Sequence, residues 1–164
     1  MDSLLREVLS GKEGPLAGET ITKISSVAGG CIHKAWRIKL KNGTDFFCKT
    51  AALEAFPMLK FEAEGLKGLK KFADPTWLEV PHPIALERTN NSAFLLIPWL
   101  NLSSGDQSSL GTGLALLHKE SSENNLGKFG WGRDGFIGSG PQPKGWGNEW
   151  GNFFVNFRLL PQIQ

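Results

Sequence analysis

Residues that suit the binding of phosphate groups follow one another in the first half of the chain. Gly29 and Gly30 interrupt a β-prone stretch, and a glycine pair without Cβ atoms lets backbone N–H groups approach an anion closely. Lys49 lies in a later β-prone segment, from which its ammonium can reach the same anion. Glu62 and Glu64 lie in the middle of the next predicted helix, where either carboxylate could hold that ammonium in place. The pattern predicts a phosphate site built from a loop, a strand and a helix.

Each of these features alone has a plain structural explanation. A Gly-Gly pair between strands is usually a turn, and a Lys in a strand commonly faces solvent. Because they are two positions apart on a helix, Glu62 and Glu64 point in different directions, so one of them is an ordinary surface residue. The order and spacing of the whole set, rather than any single member, favours the phosphate site.

The elements that must position these residues follow from the periodicity of the sequence. Segments with period-two alternation are separated by turn residues, and one helix, opened by Pro57 and continued over 58–72, follows the third segment. Asn42-Gly43 is a hairpin signal that favours a type I′ turn, in which both central residues take positive φ. The predicted strands are 20–27, 35–40, 45–50, 84–88 and 93–97. This antiparallel β-β-β-α-β-β order is the layout of a kinase amino-terminal lobe.

The second half of the chain is richer in Gly and Trp, and it predicts helices joined by a polar loop. One helix ends near Ser121, residues 122–145 form a Gly-rich loop, and a final helix starts near Trp146. The aromatic residues at helical spacing in that final helix are Trp150, Phe153, Phe154 and Phe157. We therefore expect an α+β fold, with a nucleotide-binding lobe over 1–100 and the start of a helical lobe over 101–164.

Composition argues against several other classes of protein. The 164 residues carry a net charge of +2, which is too small to indicate nucleic acid or an anionic membrane as a partner. No apolar stretch has the length of a membrane span, and the acidic, polar start is unlike a signal peptide. Cys31 and Cys48 do not make a disulfide framework, so we expect a reducing, cytoplasmic setting. Three His and two Cys at no ligand spacing argue against structural zinc.

Motifs along almost the whole chain resemble the fructosamine kinase family, and the stretch over 129–162 is the most discriminating. The matching motifs are Gly29-Gly30-Cys31-Ile32, Phe61-Glu62-Ala63-Glu64-Gly65-Leu66, Val80-Pro81-His82-Pro83, Leu114-Ala115-Leu116-Leu117-His118, Phe129-Gly130-Trp131, Ile137-Gly138, Pro141-Gln142, Trp146, Trp150, Phe153-Phe154, Arg158-Leu159 and Pro161-Gln162. That family shares the protein-kinase-like fold with aminoglycoside and choline kinases. Its members phosphorylate sugar amines, such as fructosamine or ribulosamine adducts of lysine, and so initiate protein deglycation.

The resemblance implies a five-stranded antiparallel amino-terminal lobe with one inserted helix, plus an incomplete helical carboxy-terminal lobe. It also implies an ATP site in the first of these lobes. Lys49 would pair with Glu64 and contact the α- and β-phosphates of the nucleotide. The loop that contains Gly29, Gly30 and Cys31 would cover those phosphates.

By the same resemblance, the backbone from Ile97 to Leu100 would be the hinge that reads adenine. The family commonly begins this hinge with a Glu, where this chain has Pro98. Because proline has no N–H to donate, a hydrogen bond to the base must come from Trp99 or Leu100.

The resemblance places Asp134 and Trp146 toward the substrate, a sugar amine. The family usually has Asn where Gly135 and Lys144 stand, so the local substrate contacts differ here. From the residues alone, Asp134-Gly135 is a turn in a Gly-rich loop with no strand before it.

The family's catalytic loop, His-Gly-Asp-Leu-Trp followed by Gly-Asn, and its later metal-binding Asp do not occur in these residues. Phosphoryl transfer needs a group that orients the attacking hydroxyl and ligands for magnesium. We therefore assign no catalytic and no metal-binding residue in this segment, and we expect the segment alone to be inactive. ATP with Mg²⁺ is the expected cofactor of a full-length parent enzyme, and none is assigned with certainty to the segment.

Two alternatives stay open. One is a non-catalytic module, derived from such a kinase, that binds nucleotide, a sugar amine or itself. The other is a related small-molecule kinase of the aminoglycoside or choline type. The downstream sequence separates an enzyme from a module, since only an enzyme requires the catalytic loop.

Two features predict self-association. The aromatic face of the final helix is large, and each such side chain buries on the order of 150–250 Å² when it is packed. Cys31 lies in a glycine-rich loop suited to anions, so it is a candidate for redox control through an intermolecular disulfide. Cys48 is better explained as a small buried hydrophobe.

Overall fold

The computed structural model describes residues 2–28, 32–102 and 105–163. Gly29, Gly30 and Cys31, on which the predicted phosphate loop and redox site depend, lie outside these described residues. The chain divides into two compact units, residues 1–67 with 81–103 and residues 68–80 with 104–164. Within the described ranges, no helix is long and apolar enough to cross a membrane.

The first unit is an antiparallel sheet with a helix before it and a helix inserted after its third strand. Its elements are α1 (Asp2–Ser10), β1 (Ile21–Val27), β2 (Lys34–Leu40), β3 (Asp45–Ala52), a single turn of 3₁₀ helix (Leu53–Ala55), α2 (Phe56–Phe72), β4 (Ala85–Arg88) and β5 (Ser92–Pro98). The five strands lie in the order β1-β2-β3-β5-β4. The predicted five-stranded antiparallel sheet with one inserted helix is confirmed.

The hairpin between β2 and β3 differs from the predicted type I′ turn. Gly43 has a φ of 87°, but Asn42 is not among the described residues with positive φ. The Gly43 N–H donates to Leu40 O at 3.2 Å, and the Leu40 N–H donates to Thr44 O at 2.9 Å. This is a type I turn followed by a left-handed glycine, a three-residue hairpin loop. The Asn42 side chain accepts from the Thr44 N–H at 2.9 Å, a local bond that is common for Asn in turns.

Alternation along the strands divides the apolar residues of the first unit into two cores. One face of the sheet packs against α1, and its buried residues include Leu9, Ile38, Cys48 and Leu96. The opposite face packs against α2, and its buried residues are Leu59, Ala63, Ala93 and Leu95. Strand β3 therefore contributes to both faces, with successive side chains turned to opposite sides.

The second unit combines one long helix, short strands and a final helical run. Its elements are α3 (Gln107–Asn124), β6 (Phe129–Trp131), β7 (Gly135–Ile137), β8 (Gly140–Gln142), β9 (Gly145–Gly147), α4 (Trp150–Phe154), a π-helical turn (Val155–Leu159) and α5 (Leu160–Ile163). Strand β6 pairs with β9, and the β7–β8 hairpin lies between them in the chain. Asp106 caps α3, since its carboxylate accepts from the N–H groups of Ser108 and Ser109 at 3.2 and 2.9 Å.

Two predictions for this unit are wrong. Residues 122–145 were expected to be a Gly-rich loop, yet they contain the end of α3, the strands β6 to β8 and the start of β9. The final helix was expected to start near Trp146, but Trp146 lies in β9 and the helix begins at Trp150. Three-residue strands are too short to show a period-two pattern, and their ladder depends on partners far along the chain.

The glycines of β9 allow the final helical run to lie directly against the strand. A Cβ at Gly147 would lie 2.9 Å from the Cβ of Phe153, and a Cβ at Gly145 would collide with the ring of Phe157. Phe153 is buried, and its ring stacks on that of Phe157 with centroids 5.7 Å apart. The high glycine content thus reflects close helix-to-strand packing as well as turns.

The substitution Gly147→Ala is expected to destabilise the protein by about 1–3 kcal/mol, because the added methyl group overfills the contact with Phe153. Gly151→Ala is the matched control, since no atom lies within 4 Å of its added Cβ and alanine favours the helix. Urea unfolding followed by circular dichroism measures both. Equal stability of the two variants would contradict this packing.

Candidate functional site

An ion pair joins the sheet of the first unit to α2. The Lys49 Nζ lies 2.7 Å from the Glu62 Oε1, and the two side chains are 30% and 32% exposed. Lys49 occupies β3 opposite Leu95, on the face that packs against α2, and α2 is held there by Leu59 and Ala63. A partly exposed Lys–Glu pair contributes little to folding stability. This pair matters because it sets where the Lys49 ammonium lies. The ammonium keeps its remaining protons available to an anion.

The expected pairing of Lys49 with Glu64 is corrected by this contact. The carboxylate that touches Lys49 belongs to Glu62, one of the two candidates that the helix left open. Residues two positions apart on a helix are separated by about 200° around its axis. When Glu62 faces the sheet, the side chain of Glu64 therefore points in a different direction. The rotation of α2 is set by its buried residues Leu59 and Ala63, and Ala63 is next to Glu62 in the chain.

His33 is a neighbour of this ion pair that the sequence analysis did not single out. It precedes Ala35 by two positions, Ala35 pairs with Lys49 across β2 and β3, and the charges of Lys49 and Glu62 both act on the imidazole, so His33 lies near the ion pair. Burial and the positive charge of Lys49 lower the pKa of His33, and the charge of Glu62 partly opposes this. The imidazole is therefore neutral near pH 7. The signal in the sequence was the two-residue spacing from Ala35.

The hinge segment begins where β5 leaves β3. Pro98 is the final paired residue of β5 and lies opposite Phe46, and the Trp99 N–H then donates to Asp45 O at 3.2 Å. In an antiparallel ladder, hydrogen-bonded pairs alternate with pairs whose polar groups point outward. The bond at Trp99 therefore turns the carbonyl of Pro98 away from β3. The Trp99 N–H, one of the two candidate donors to a base, is already engaged.

Cys48 is the described free cysteine and is fully buried. Burial raises its pKa to about 12, so the thiol stays protonated at neutral pH. The prediction that Cys48 is a small buried hydrophobe is confirmed.

The residues predicted to face a substrate lie in the second unit. The Asp134 Oδ1 accepts from the Lys144 N–H at 2.8 Å and ties together the turns on either side of the β7–β8 hairpin. Strand β6 precedes Asp134, which corrects the expectation that no strand would do so. Trp146 is 44% exposed and lies opposite Gly130 in the β6–β9 ladder. Their roles toward a substrate stay predictions.

Two side chains of the final helical run hold the β8–β9 segment, and the sequence analysis assigned them no role. The Arg158 Nη1 donates to Pro143 O at 3.1 Å, and the Gln162 Nε2 donates to Pro141 O at 3.2 Å. The guanidinium of Arg158 also lies 4.6 Å from the ring centroid of Phe153. Both residues belong to motifs that carry the family resemblance, so these contacts give a structural reason for that pattern.

Among the described side chains, no group of three or more His, Cys, Asp or Glu is placed to hold a metal ion.

The chain matches a known protein family. The family model described as fructosamine kinase matches residues 3–164. The chain belongs to the fructosamine kinase family. A protein of Synechocystis sp. named as a probable ketoamine kinase is 33% identical over 141 residues, which are 84% of this chain and 45% of that protein. A protein-ribulosamine 3-kinase, chloroplastic, of Oryza sativa subsp. indica is 35% identical over 147 residues, 88% of this chain and 41% of that protein.

Solved structures of the fructosamine kinase family share the fold. A crystal structure from Haemophilus somnus, assigned as a fructosamine-3-kinase, superposes with a TM-score of 0.72 at 25% identity over 94% of this chain and 50% of that chain. A second, from Thermobifida fusca, has a TM-score of 0.71 at 21% identity, covers 98% of this chain and 51% of that chain, and supports the fold alone. The protein-kinase-like fold is confirmed. The chain spans about half the length of these relatives.

We expect the pKa of His33 to lie below its ordinary value of about 6.5, and the substitution Lys49→Met to raise it by removing a nearby positive charge. A folded state that holds fewer protons on His33 than the unfolded chain loses stability as pH falls below about 6.5. Histidine resonances followed by NMR from pH 5 to 8 measure the pKa. A His33 pKa unaffected by Lys49→Met would contradict this arrangement.

Proposed function

We propose that this chain forms the nucleotide-binding part of an ATP-dependent kinase that phosphorylates sugar amines of the fructosamine or ribulosamine type. The observation that carries the proposal is the ion pair of Lys49 with Glu62 on the sheet of a kinase-like fold. Membership of the fructosamine kinase family supports it, because that family implies the use of ATP. The names of the ketoamine and ribulosamine kinases above suggest the class of acceptor.

The residues of the first unit fit a nucleotide. Lys49 offers its ammonium to the α- and β-phosphates, and Glu62 restrains the direction of that ammonium. Because the Trp99 N–H is engaged by Asp45, the hinge donor to the base is the Leu100 N–H, with the Pro98 carbonyl as acceptor. One acceptor followed by one donor matches the amine and ring nitrogen of adenine and mismatches guanine. Bound ATP supplies the phosphoryl group that is transferred.

Among the described residues, no cluster of side chains is placed to bind magnesium, and no step proposed here involves the metal. The group that would orient an attacking hydroxyl is likewise unassigned. We therefore propose that this segment binds nucleotide and does not transfer the phosphoryl group unaided. Gly29, Gly30 and Cys31 remain proposed loop contacts to the phosphates, on sequence grounds.

The acceptor side is proposed for the second unit, with Asp134 and Trp146 toward the sugar amine. One oxygen of Asp134 accepts from the Lys144 N–H, which orients the carboxylate, and Trp146 offers a partly exposed indole. An aromatic ring and a carboxylate are the kinds of group that suit a sugar that carries an ammonium. A cytoplasmic setting stays a prediction from the sequence.

Nucleotide binding tests the first part of the proposal. Lys49→Met is expected to weaken ADP binding at least tenfold, because a phosphate-directed charge is lost. Glu62→Gln is expected to weaken it by a smaller factor, since the ammonium loses its restraint. Glu64→Gln should leave the affinity near that of the parent chain. Isothermal titration calorimetry with ADP measures all of them.

The ADP affinities of the two glutamate variants show which glutamate restrains Lys49. A loss of affinity confined to Glu64→Gln would contradict the pairing of Lys49 with Glu62. Measurable phosphorylation of a ribulosamine by this chain alone would contradict the claim that transfer needs further residues. If the chain does not bind nucleotide, the alternative is favoured that it is a non-catalytic module that binds only a sugar amine or itself.

We also propose that the chain self-associates through its final helical run. Several large apolar side chains there are exposed: Trp150 (55%), Phe154 (42%), Val155 (42%), Leu159 (46%) and Ile163 (70%). Phe153, which belongs to the predicted aromatic face, is instead buried, so the proposal depends on these exposed side chains, whose density on one helical run favours association. A disulfide through Cys31 is a second, independent route proposed from the sequence.

The double substitution Leu159→Gln with Ile163→Gln is expected to shift the chain toward monomer, because it removes two exposed apolar side chains from that surface. Leu102→Gln is the control, since Leu102 is 91% exposed and lies outside the helical run. Light scattering at tens of micromolar, with and without dithiothreitol, measures the mass. A monomeric parent chain under both conditions would refute the proposal, and an association lost only with dithiothreitol would favour Cys31.

A further inference from the structure

A cluster of three side chains on β2, β3 and the hinge has no part in the function proposed so far. The Arg37 Nε donates to the Asp45 Oδ2 at 2.7 Å, and a second N–H of the same guanidinium donates to the same oxygen. The Arg37 Cζ lies 4.2 Å from the ring centroid of Trp99. The Trp99 N–H donates to the carbonyl of Asp45. Asp45 therefore holds Trp99 directly through its backbone and indirectly through Arg37.

These contacts restrain Trp99 at its backbone and at its indole. The indole Nε1 donates to the Asn101 Oδ1 at 3.1 Å, and the Phe47 ring lies 6.3 Å away between centroids. Pro98, the residue before Trp99, belongs to a pair whose polar groups point away from β3, so it makes no backbone hydrogen bond to that strand. The single backbone bond at Trp99 would be a weak anchor for the hinge without the stacked guanidinium.

The chemistry of the cluster requires an arginine. A guanidinium is planar, so it can lie over an indole and donate to a carboxylate in its own plane, whereas an ammonium is a compact point charge. The Asp45 side chain is only 15% exposed, so water competes weakly for the carboxylate. Lys39 approaches the same oxygen at 3.9 Å and supplies charge without the planar contact.

The two groups that would read adenine flank Trp99 in the chain. The carbonyl of Pro98 precedes it and the N–H of Leu100 follows it, so a rotation of Trp99 moves both. We infer that Arg37 is a positioning residue for the nucleobase: it holds Trp99 against Asp45 and thereby orders the hinge that receives adenine. This inference rests on the proposed nucleotide site, and it assigns the affinity for the base, rather than for the phosphates, to Arg37.

The test compares a ligand with a base and a ligand without one, using the full 164-residue chain. Calorimetric titrations with ADP and with inorganic triphosphate are made for the parent chain, Arg37→Lys and Arg88→Lys. Arg88 is the matched control, because its guanidinium also stacks on an aromatic ring of the first unit, that of Phe56 at 4.0 Å. Amide hydrogen exchange of residues 99–102 without ligand reports on the order of the hinge.

Arg37→Lys is expected to weaken ADP binding about threefold to tenfold and to leave triphosphate binding unchanged. It should also speed amide hydrogen exchange across 99–102, whereas Arg88→Lys should change neither the ADP affinity nor the exchange. Asp45→Asn, which keeps the Trp99 backbone bond, should reproduce the Arg37→Lys result in weaker form.

Four outcomes would overturn the inference. Unchanged ADP affinity in Arg37→Lys would refute it while the nucleotide site stands. An equal loss for both ligands, together with a lowered unfolding midpoint, would show a purely structural role. A parent chain that binds triphosphate and ADP equally well would show that the hinge reads no base. A parent chain that binds neither ligand would refute the proposed nucleotide site and this inference with it.

Discussion

Strand β3 is constrained to serve two environments at once, and the rest of the first unit depends on that constraint. Cys48 points into the core beneath α1, while its neighbour Lys49 points to the face that carries α2. A fully buried thiol with a pKa raised to about 12 is chemically inert, so it fixes the register of the strand without competing for chemistry. Since a slip of one residue would exchange the two faces, the same packing that buries Cys48 delivers the ammonium of Lys49.

The helix α2 has a similar dual role. Leu59 and Ala63 are buried against Ala93 and Leu95, and this contact determines which glutamate turns toward the sheet. The Lys49–Glu62 pair is partly exposed, so it adds little to folding stability. Its effect is to restrain the direction of the Lys49 ammonium. Packing energy of the apolar residues thus maintains a polar geometry that the ion pair could not maintain alone.

The second unit uses glycine in a different way. Positions in β9 lack a Cβ because Phe153 and Phe157 occupy that space, and Arg158 and Gln162 then bind the carbonyls of Pro143 and Pro141. The π-helical turn over Val155–Leu159 contains Arg158, and such turns are rare interruptions of a regular helix. Motifs that identify the family are therefore also those that lock the helical run to the short strands.

Much of the first unit was predictable because its signals are local. Period-two strands of seven or eight residues, a long amphipathic helix and Gly43 in the hairpin all mark their own positions. The four short strands of the second unit were missed, and so was the start of the last helix, because three-residue strands acquire their hydrogen bonds from partners up to 18 residues away. Long-range pairing leaves no periodic trace in the sequence.

By itself the sequence determined the order of the main elements of the first unit, the family, and Lys49 as the cation of the predicted site, since each depends on residue type and spacing along the chain. Only the tertiary structure decided that Glu62 rather than Glu64 meets Lys49, because the rotation of α2 is set by burial. It also decided that the Trp99 N–H donates to the carbonyl of Asp45 and that Arg37 lies over the Trp99 ring. Contacts between strands depend on register, and register is settled by packing across the whole sheet.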